Sequence, residues 1–252
     1  MKFLKMQGLG NDFVVLEGPI SVANEVIVEL CDRRTGVGAD GVLVATRLDD
    51  AVQMEYWNAD GSVAEMCGNG LRCIAQLAMG KGWVAPDGFI VRTASGDHAA
   101  RRVGDGLVRA FVGTASTLAS DVSSCGVNFH AVMIGNPHAV TFVDSVINAP
   151  VESLGPEVEI DRQFPHGTNV EFASVLSRDH VELRVWERGV GETDACGTGA
   201  AATVFAAHSR GDVDARVTVS LPGGDLVIEV DGDSVWMEGP AVSVFSGTWP
   251  AT

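Results

Sequence analysis

Short runs rich in Val, Ile and Phe, separated by glycine and other turn residues, recur along the chain. They predict strands at Gly41 to Ala45, Val52 to Trp57, Phe89 to Arg92, Leu107 to Val112, His130 to Ile134, Val181 to Trp186, Arg216 to Leu221 and Leu226 to Val230. Two segments break the pattern. Gly68 to Met79 and Gly197 to Ala207 are rich in Ala and other small or apolar residues, and both predict buried helices. Glycines punctuate their ends: Gly80 and Gly82 after the first, Gly211 after the second. A third helix is expected over Ser21 to Cys31. The fold class is α/β in the mixed, α+β sense, with strands gathered around one apolar helix, twice over.

The duplication is visible in the residues. Cys67-Gly68-Asn69-Gly70 and Cys196-Gly197-Thr198-Gly199 lie 129 positions apart, and the same offset relates Trp57 to Trp186 and Glu65 to Asp194. Gly10-Asn11 and Gly135-Asn136 are 125 apart, and Ser95-Gly96-Asp97 and Gly223-Gly224-Asp225 are 128 apart. An ordered series of matches at nearly one offset predicts two similar halves packed about a pseudo-twofold axis. The division is expected near Thr114 to Gly126, where Ser, Thr and Gly cluster. This gives halves of 1–115 and 116–240.

Composition narrows the function classes. The chain has 252 residues, 46% hydrophobic and 20% charged, enough to bury a core without staples. Its formal net charge of -16 argues against nucleic acid and against an anionic membrane surface, since both call for clustered Lys and Arg. The N-terminal Met-Lys-Phe-Leu-Lys-Met-Gln-Gly lacks the apolar run of a signal peptide, and no run of ~18 apolar residues occurs. A cytoplasmic location is therefore expected. The five cysteines, Cys31, Cys67, Cys73, Cys125 and Cys196, are odd in number and widely spaced, with no Cys-x-x-Cys pair. Neither a disulfide framework nor a metal knuckle is expected.

Cys67 and Cys196 stand apart from the other three, which read as packing residues. Each begins a predicted helix. There the free N–H groups and the helix dipole favour a thiolate and lower its pKa. The following glycines let a ligand approach the backbone closely and leave N–H groups for an anion such as a carboxylate. Two such ends facing one another across a cleft suit stereoinversion at a carbon next to a carboxylate. One thiolate removes the α-proton from one face and the other thiol returns a proton to the opposite face. No cofactor and no metal are needed in that scheme.

The motifs resemble those of the diaminopimelate epimerase family. Asn58-Ala59-Asp60-Gly61-Ser62, Glu65 to Gly70 and Arg72-Cys73 are similar to its first signature. Trp186-Glu187-Arg188-Gly189, Glu192-Thr193 and Ala195 to Gly199 are similar to its second. Gly8 to Phe13 resembles the N-terminal motif, and Gly135-Asn136-Pro137-His138 and Asn169-Val170-Glu171-Phe172 resemble the two middle ones. The resemblance covers nearly the whole chain. It implies interconversion of LL- and meso-diaminopimelate in lysine and peptidoglycan-precursor synthesis. It also implies two α/β domains, each a mostly antiparallel or mixed sheet wrapped around a central helix, with the active site in the cleft between them. The C-terminal 241–252 would return to complete the first domain, and the resemblance is compatible with a homodimer.

Residue by residue, the resemblance makes Cys67 and Cys196 the acid/base pair. Gly68, Asn69, Gly197 and Thr198 would hold the reacting carboxylate. Asn11, Asn58, Asn136, Asn169, Glu187 and Arg188 would hold the rest of the substrate. His138 and Glu187 would set the protonation of the cysteines and the reacting amine. Arg188 suits a distal carboxylate by a bidentate fork, and otherwise reads as a surface ion pair. Glu187 suits an ammonium, and otherwise reads as a solvated strand end. The asparagines taken singly are turn residues. Gly41 stands where some members carry a glutamine, Leu71 where a small residue is usual, and Asp194 lies beside Cys196, with its side chain expected outward. A proline or hydroxyproline racemase is the neighbouring alternative. A thiol redox protein is the more distant one.

Overall fold

The computed structural model describes residues 1–64 and 66–250. Glu65 of the first signature, and Ala251 and Thr252 at the C-terminus, lie outside the described residues. The chain divides into two compact units. One comprises Met1–Ala110 together with a second stretch that begins at Gly239, and the other comprises Phe111–Glu238.

In the first unit, β1 (Lys2–Gly8) and β2 (Asn11–Glu17) form an antiparallel hairpin. The helix α1 (Asn24–Cys31) then leads to β3 (Gly41–Arg47), which runs parallel to β2. The strands β4 (Ala51–Asn58) and β5 (Val63–Ala64) follow, then the helix α2 (Gly68–Gly80) and the strands β6 (Phe89–Thr93), β7 (Gly96–Gly104) and β8 (Leu107–Thr114), the last of which belongs to the second unit from Phe111 on. The order repeats in the second unit. It has β9 (Ser116–Ser124), β10 (Val127–Ile134), β11 (Asn136–Phe142), α3 (Val151–Glu159), β12 (Asn169–Ser177), β13 (His180–Glu187), β14 (Gly191–Thr193), α4 (Gly197–Ser209), β15 (Arg216–Leu221), β16 (Gly224–Asp231) and β17 (Ser234–Pro240). The last strand, β18 (Val242–Thr248), pairs antiparallel with β1, as β9 pairs with β10.

The pairings match step for step. β11 and β12 are parallel as β2 and β3 are, β12 and β13 antiparallel as β3 and β4 are, and β13 and β15 parallel as β4 and β6 are. A parallel neighbour needs a crossover, which α1 and α3 supply on one side and α2 and α4 on the other. Among the described residues no helix is long and apolar enough to cross a membrane.

The central helices sit where the sequence places them, for a packing reason. Leu71, Ile74, Ala75 and Ala78 of α2 are buried against Met6, Phe13, Leu43 and Met54. Truncating Leu71 or Ile74 to alanine costs about 2–5 kcal/mol. α4 is buried from Gly199 to Ala207, and its alanines let the sheet approach closely on every side. Both helices end alike. Gly82 and Gly211 take positive φ of 66° and 81°, and their N–H groups return to Met79 and His208. The next N–H groups, of Trp83 and Asp212, return to Ala78 and Ala207, which closes the last turn.

Two expectations need correction. The first helix begins at Asn24, not Ser21. Gly18 is still bonded along β3, its N–H donating to Ala45, and the first helical turn closes on the carbonyl of Ala23. Within the Ser/Thr-rich stretch Thr114 to Gly126 the chain forms β9, an exposed strand paired with β10. Cys125 is not a packing residue. It is exposed and, with Gly126, makes the two-residue turn between Ser124 and Val127, both at positive φ (49° and 77°). Cys31 and Cys73 are buried as packing thiols.

Candidate active site

Each half builds its motif on the head of its central helix. In the first, Cys67 is the N-cap of α2 with extended backbone (φ −141°, ψ 123°). Its thiol is half-buried and donates to the side-chain oxygen of Asn11 at 3.4 Å. Asn69 Nδ2 donates to the same oxygen at 3.2 Å. Asn11 in turn donates from Nδ2 to Asp40 at 2.7 Å, and Asp40 also accepts the Asp12 N–H at 3.0 Å. Beneath them lies Arg72, with no exposed surface. It donates to Asn69 Oδ1 at 2.6 Å, to the Pro240 carbonyl at 3.2 Å and to the Gly68 carbonyl at 3.3 Å. Burial lowers its pKa to about 10, with the Cys73 and Cys67 thiols pulling the other way. Among the expected residues, Cys67, Gly68, Asn69 and Asn11 thus form one connected group. Asn58 is not in it: its Nδ2 donates to the Ser62 hydroxyl at 3.0 Å, closing the turn that follows β4.

In the second half, Cys196 is the N-cap of α4 (φ −120°, ψ 111°), 5% exposed. Its sulfur accepts the Gly199 N–H at 3.3 Å and lies 3.5 Å from the Thr198 hydroxyl. The first hydrogen bond within α4 runs from Ala200 N–H to Cys196 O, so the N–H groups of Gly197 and Thr198 belong to the unpaired head of the helix. Glu187 is no solvated strand end. Half-buried, it accepts the Thr193 hydroxyl at 2.5 Å, and burial pushes its carboxyl up against the pull of that hydroxyl and of the Cys196 thiol. Asp194 is exposed, as expected.

The expectation that the helix end lowers the thiol's pKa fails at Cys196. Burial pushes it well above the ordinary thiol range, and the carboxyls of Glu187 and Glu171 push in the same direction. The Thr198 hydroxyl and the Gly199 N–H pull it down and are outweighed.

His138 is fully buried and both ring nitrogens are engaged. Nδ1 lies 2.6 Å from Glu171 Oε1, and Nε2 lies 2.8 Å from Asn136 Oδ1. Among the described residues it makes no hydrogen bond to Cys196. Its neighbours Glu171 and Glu187 are the groups that act on that thiol. Asn169 is buried and serves the backbone, donating to the Pro137 carbonyl at 3.1 Å and accepting the Arg188 N–H at 3.0 Å. That bond fixes the turn carrying Arg188. The Arg188 side chain is exposed and donates to the His166 carbonyl at 2.8 Å, and among the described residues it makes no ion pair. A carboxylate fork remains open to it.

Three residues gain a place that sequence reasoning did not give them. Asp40 holds Asn11, Arg72 holds Asn69, and Glu171 holds His138. The available signal was a charged side chain inside an apolar run, as in Leu71-Arg72-Cys73-Ile74 and Val170-Glu171-Phe172. Gly41 is shaped by its neighbours: a Cβ there would lie 2.4 Å from the Trp57 carbonyl oxygen and 2.6 Å from the Tyr56 ring. Leu71 is wholly buried in the first core.

The sequence and the fold are both similar to those of known proteins. The family model described as diaminopimelate epimerase matches residues 3–118 and 130–244. The diaminopimelate epimerase of Alkalilimnicola ehrlichii is 44% identical over 98% of each chain. That of Halorhodospira halophila is 43% identical over 98% of this chain and 94% of its own. Among solved structures, a phenazine biosynthesis protein of the PhzF family from Bacillus anthracis has a TM-score of 0.77 at 12% identity over 98% of each chain. A hydroxyproline epimerase from Agrobacterium vitis has a TM-score of 0.73 at 16% identity, over 98% of this chain and 91% of its own. At such identities the likeness is one of fold. A family match across most of the sequence, joined to relatives above 40% identity along nearly the full length, makes this chain a member of the diaminopimelate epimerase family of isomerases.

Proposed function

We propose that the protein interconverts LL- and meso-diaminopimelate without a cofactor, using Cys67 and Cys196 as acid and base. The observation that supports this most is the repeated helix head. In each half a Cys-Gly-x-Gly motif caps the central helix, with the thiol at the N-cap. In this reading one cysteine, as thiolate, takes the α-proton, and the other, as thiol, gives a proton to the opposite face. The two exchange protonation states with each turnover. The scheme requires both sulfurs to reach one substrate carbon from opposite sides.

The N–H groups of Gly197 and Thr198, with Gly68 and Asn69, would hold the reacting carboxylate and stabilise the charge that develops toward it. Glu187, whose carboxyl acts electrostatically on the Cys196 thiol, would help set the protonation of that thiol and of the reacting amine. Arg188, which makes no ion pair among the described residues, suits the distal carboxylate. Asn11, Asn58, Asn136 and Asn169 would hold or frame the rest of the substrate, and His138 would act from behind Asn136. A division of the fold at 115/116, with 241–252 completing the first domain, a cytoplasmic location and a homodimeric assembly belong to the same reading. Sedimentation of the purified protein tests the last.

The direct test is incubation with LL-diaminopimelate in D₂O, following deuterium at the α-carbon and the LL/meso ratio. Inversion with incorporation, abolished in Cys67→Ala and in Cys196→Ala, is expected. Inversion of proline but not diaminopimelate would overturn the substrate. No inversion of any amino acid would overturn the reaction.

A further inference from the structure

The two halves place the same backbone under their helix heads but fill it with different chemistry. Phe13 and His138 are each the third residue of their strand, and each pairs in parallel with the first residue of the next strand, Gly41 or Asn169. Leu43 and Glu171 come two residues further along those strands. The equivalence is also spatial. A Cβ on Gly70 would meet the Leu43 methyls at 3.3 Å, and a Cβ on Gly199 would meet Glu171 Oε1 at 2.9 Å. The first half closes this space with Phe13 and Leu43, and the second with His138 and Glu171, and all four have no more than a trace of exposed surface. A buried ionisable pair is costly where an apolar pair is not. The first half builds the same frame without one, so the frame does not require it.

The second half's pair is wired in one direction. Asn136 Oδ1 can only accept, so Nε2 of His138 carries the proton in their 2.8 Å hydrogen bond. With its oxygen so engaged, the Asn136 amide keeps its NH₂ group for a ligand. On the other side of the ring, among the described residues, Nδ1 meets only Glu171, at 2.6 Å. The second carboxyl oxygen of Glu171 is buried with no hydrogen-bond partner among the described residues. A carboxyl left so favours its proton-bearing form, or a proton shared with the ring. Burial pushing Glu171 upward, against the pull of His138 and the Ala139 N–H, acts in the same sense.

We propose that Glu171 is a positioning residue of the second half-site. Through Nδ1 it fixes the proton of the His138 ring on Nε2, and thereby fixes the Asn136 amide with its NH₂ group presented to the substrate. The proposal rests on the reading of Asn136 as a substrate contact. The first half has no such relay, because its Asn11 is oriented by Asp40 and Asn69 instead.

The test compares Glu171→Gln with Glu171→Leu in the full chain, by ¹⁵N imidazole spectra and by diaminopimelate kinetics, with the His138 signals assigned by their loss in His138→Phe. A glutamine amide can still bond Nδ1, so E171Q should keep the Nε2-protonated signature and a KM within about threefold of wild type. E171L should lose that signature and raise KM at least tenfold. Glu171→Met, of similar length and without hydrogen-bonding atoms, repeats the comparison if leucine disturbs β12. An unchanged signature in both apolar variants, or equal KM in E171Q and E171L, would overturn the proposal. If the wild type is inert on diaminopimelate, the functional reading fails, and the imidazole spectra alone decide whether Glu171 holds the ring.

Discussion

Arg72 reaches up from the buried side of α2 and donates to Asn69 at 2.6 Å, so a charged side chain with no exposed surface supports the residue that follows the Cys67 turn. Its other donors hold the carbonyls of Gly68 and Pro240. The motif and the return of the chain at Pro240 are therefore tied to one guanidinium.

Replacing Arg72 with Met keeps much of the volume and removes every one of these donors. Leaving buried acceptors unsatisfied is expected to cost about 3 kcal/mol. For a chain of this size that lowers the melting temperature by roughly 6–12 °C. Thermal unfolding by circular dichroism measures it. A melting temperature within a degree of wild type would show that the acceptors find other partners.

Glu187→Gln should separate stability from activity. Burial raises the Glu187 carboxyl above its unfolded value, so its favourable contribution is present at low pH and is lost as pH rises through the folded value. At pH 8 the ionised side chain is a burden that glutamine removes. The variant's urea midpoint should exceed wild type at pH 8 and converge with it near pH 4. Epimerase turnover should fall by about 10²-fold or more, the usual scale for a lost acid–base partner.

Asp12 predicts the opposite slope. Burial raises its carboxyl, but hydrogen bonds from Arg33 and Lys5 outweigh burial and bring it down to about 2. Lys5 lies 2.6 Å away, Arg33 lies 2.8 Å away, and Lys5 also donates to the Gly38 carbonyl. A lowered folded pKa gives stability that is present above the unfolded value near 3.8 and is lost as pH falls toward 2. Asp12→Asn should be less stable than wild type at pH 7, with the gap closing across that window. Urea titrations at pH 7, 4 and 2.5 follow it.

Gly41 is expected to resist any side chain. A Cβ would press on the Trp57 carbonyl, which is backbone and cannot swing away, as well as on the Tyr56 ring. Gly41→Ala should cost about 1–3 kcal/mol as overpacking. Gly41→Gln should cost at least as much and should not improve KM for diaminopimelate. A tighter KM in the glutamine variant would mean that β3 and β4 yield there at little cost.

The central helices and most strands of both halves could be read from the chain because their signals are local. Alanine-rich apolar runs between Cys-Gly-x-Gly and a terminal glycine fit few structures other than a buried helix. Other elements carried no such signal. β9 is mostly exposed Ser, Thr and Asp, and it is a strand because β10 supplies its partner, not because of its own composition. α3 contains Gly155 and Pro156, both poor helix residues; Gly155 is there because a Cβ would lie 2.6 Å from the Trp186 ring. In the site, the cysteines and their glycines were legible because the repeat displays them twice. The hydrogen-bond relay through Asp40, Arg72 and Glu171 was not, because each link joins residues distant in sequence or hidden inside an apolar run. The raised thiol of Cys196 depends on burial and on two carboxyls from other strands, which no reading of the helix head alone supplies.

The pairing of β18 with β1 sets an order of events during synthesis. The second unit is one continuous stretch, and the ribosome delivers all of it before it delivers β18. The first unit leaves first but keeps an open edge along β1 until β18 is made, when Met1 and Trp249 exchange backbone hydrogen bonds at 2.6 and 2.7 Å. The half that is translated first is therefore the half that is completed last. For the whole of that interval, its unpaired strand edge is open to pairing with another chain.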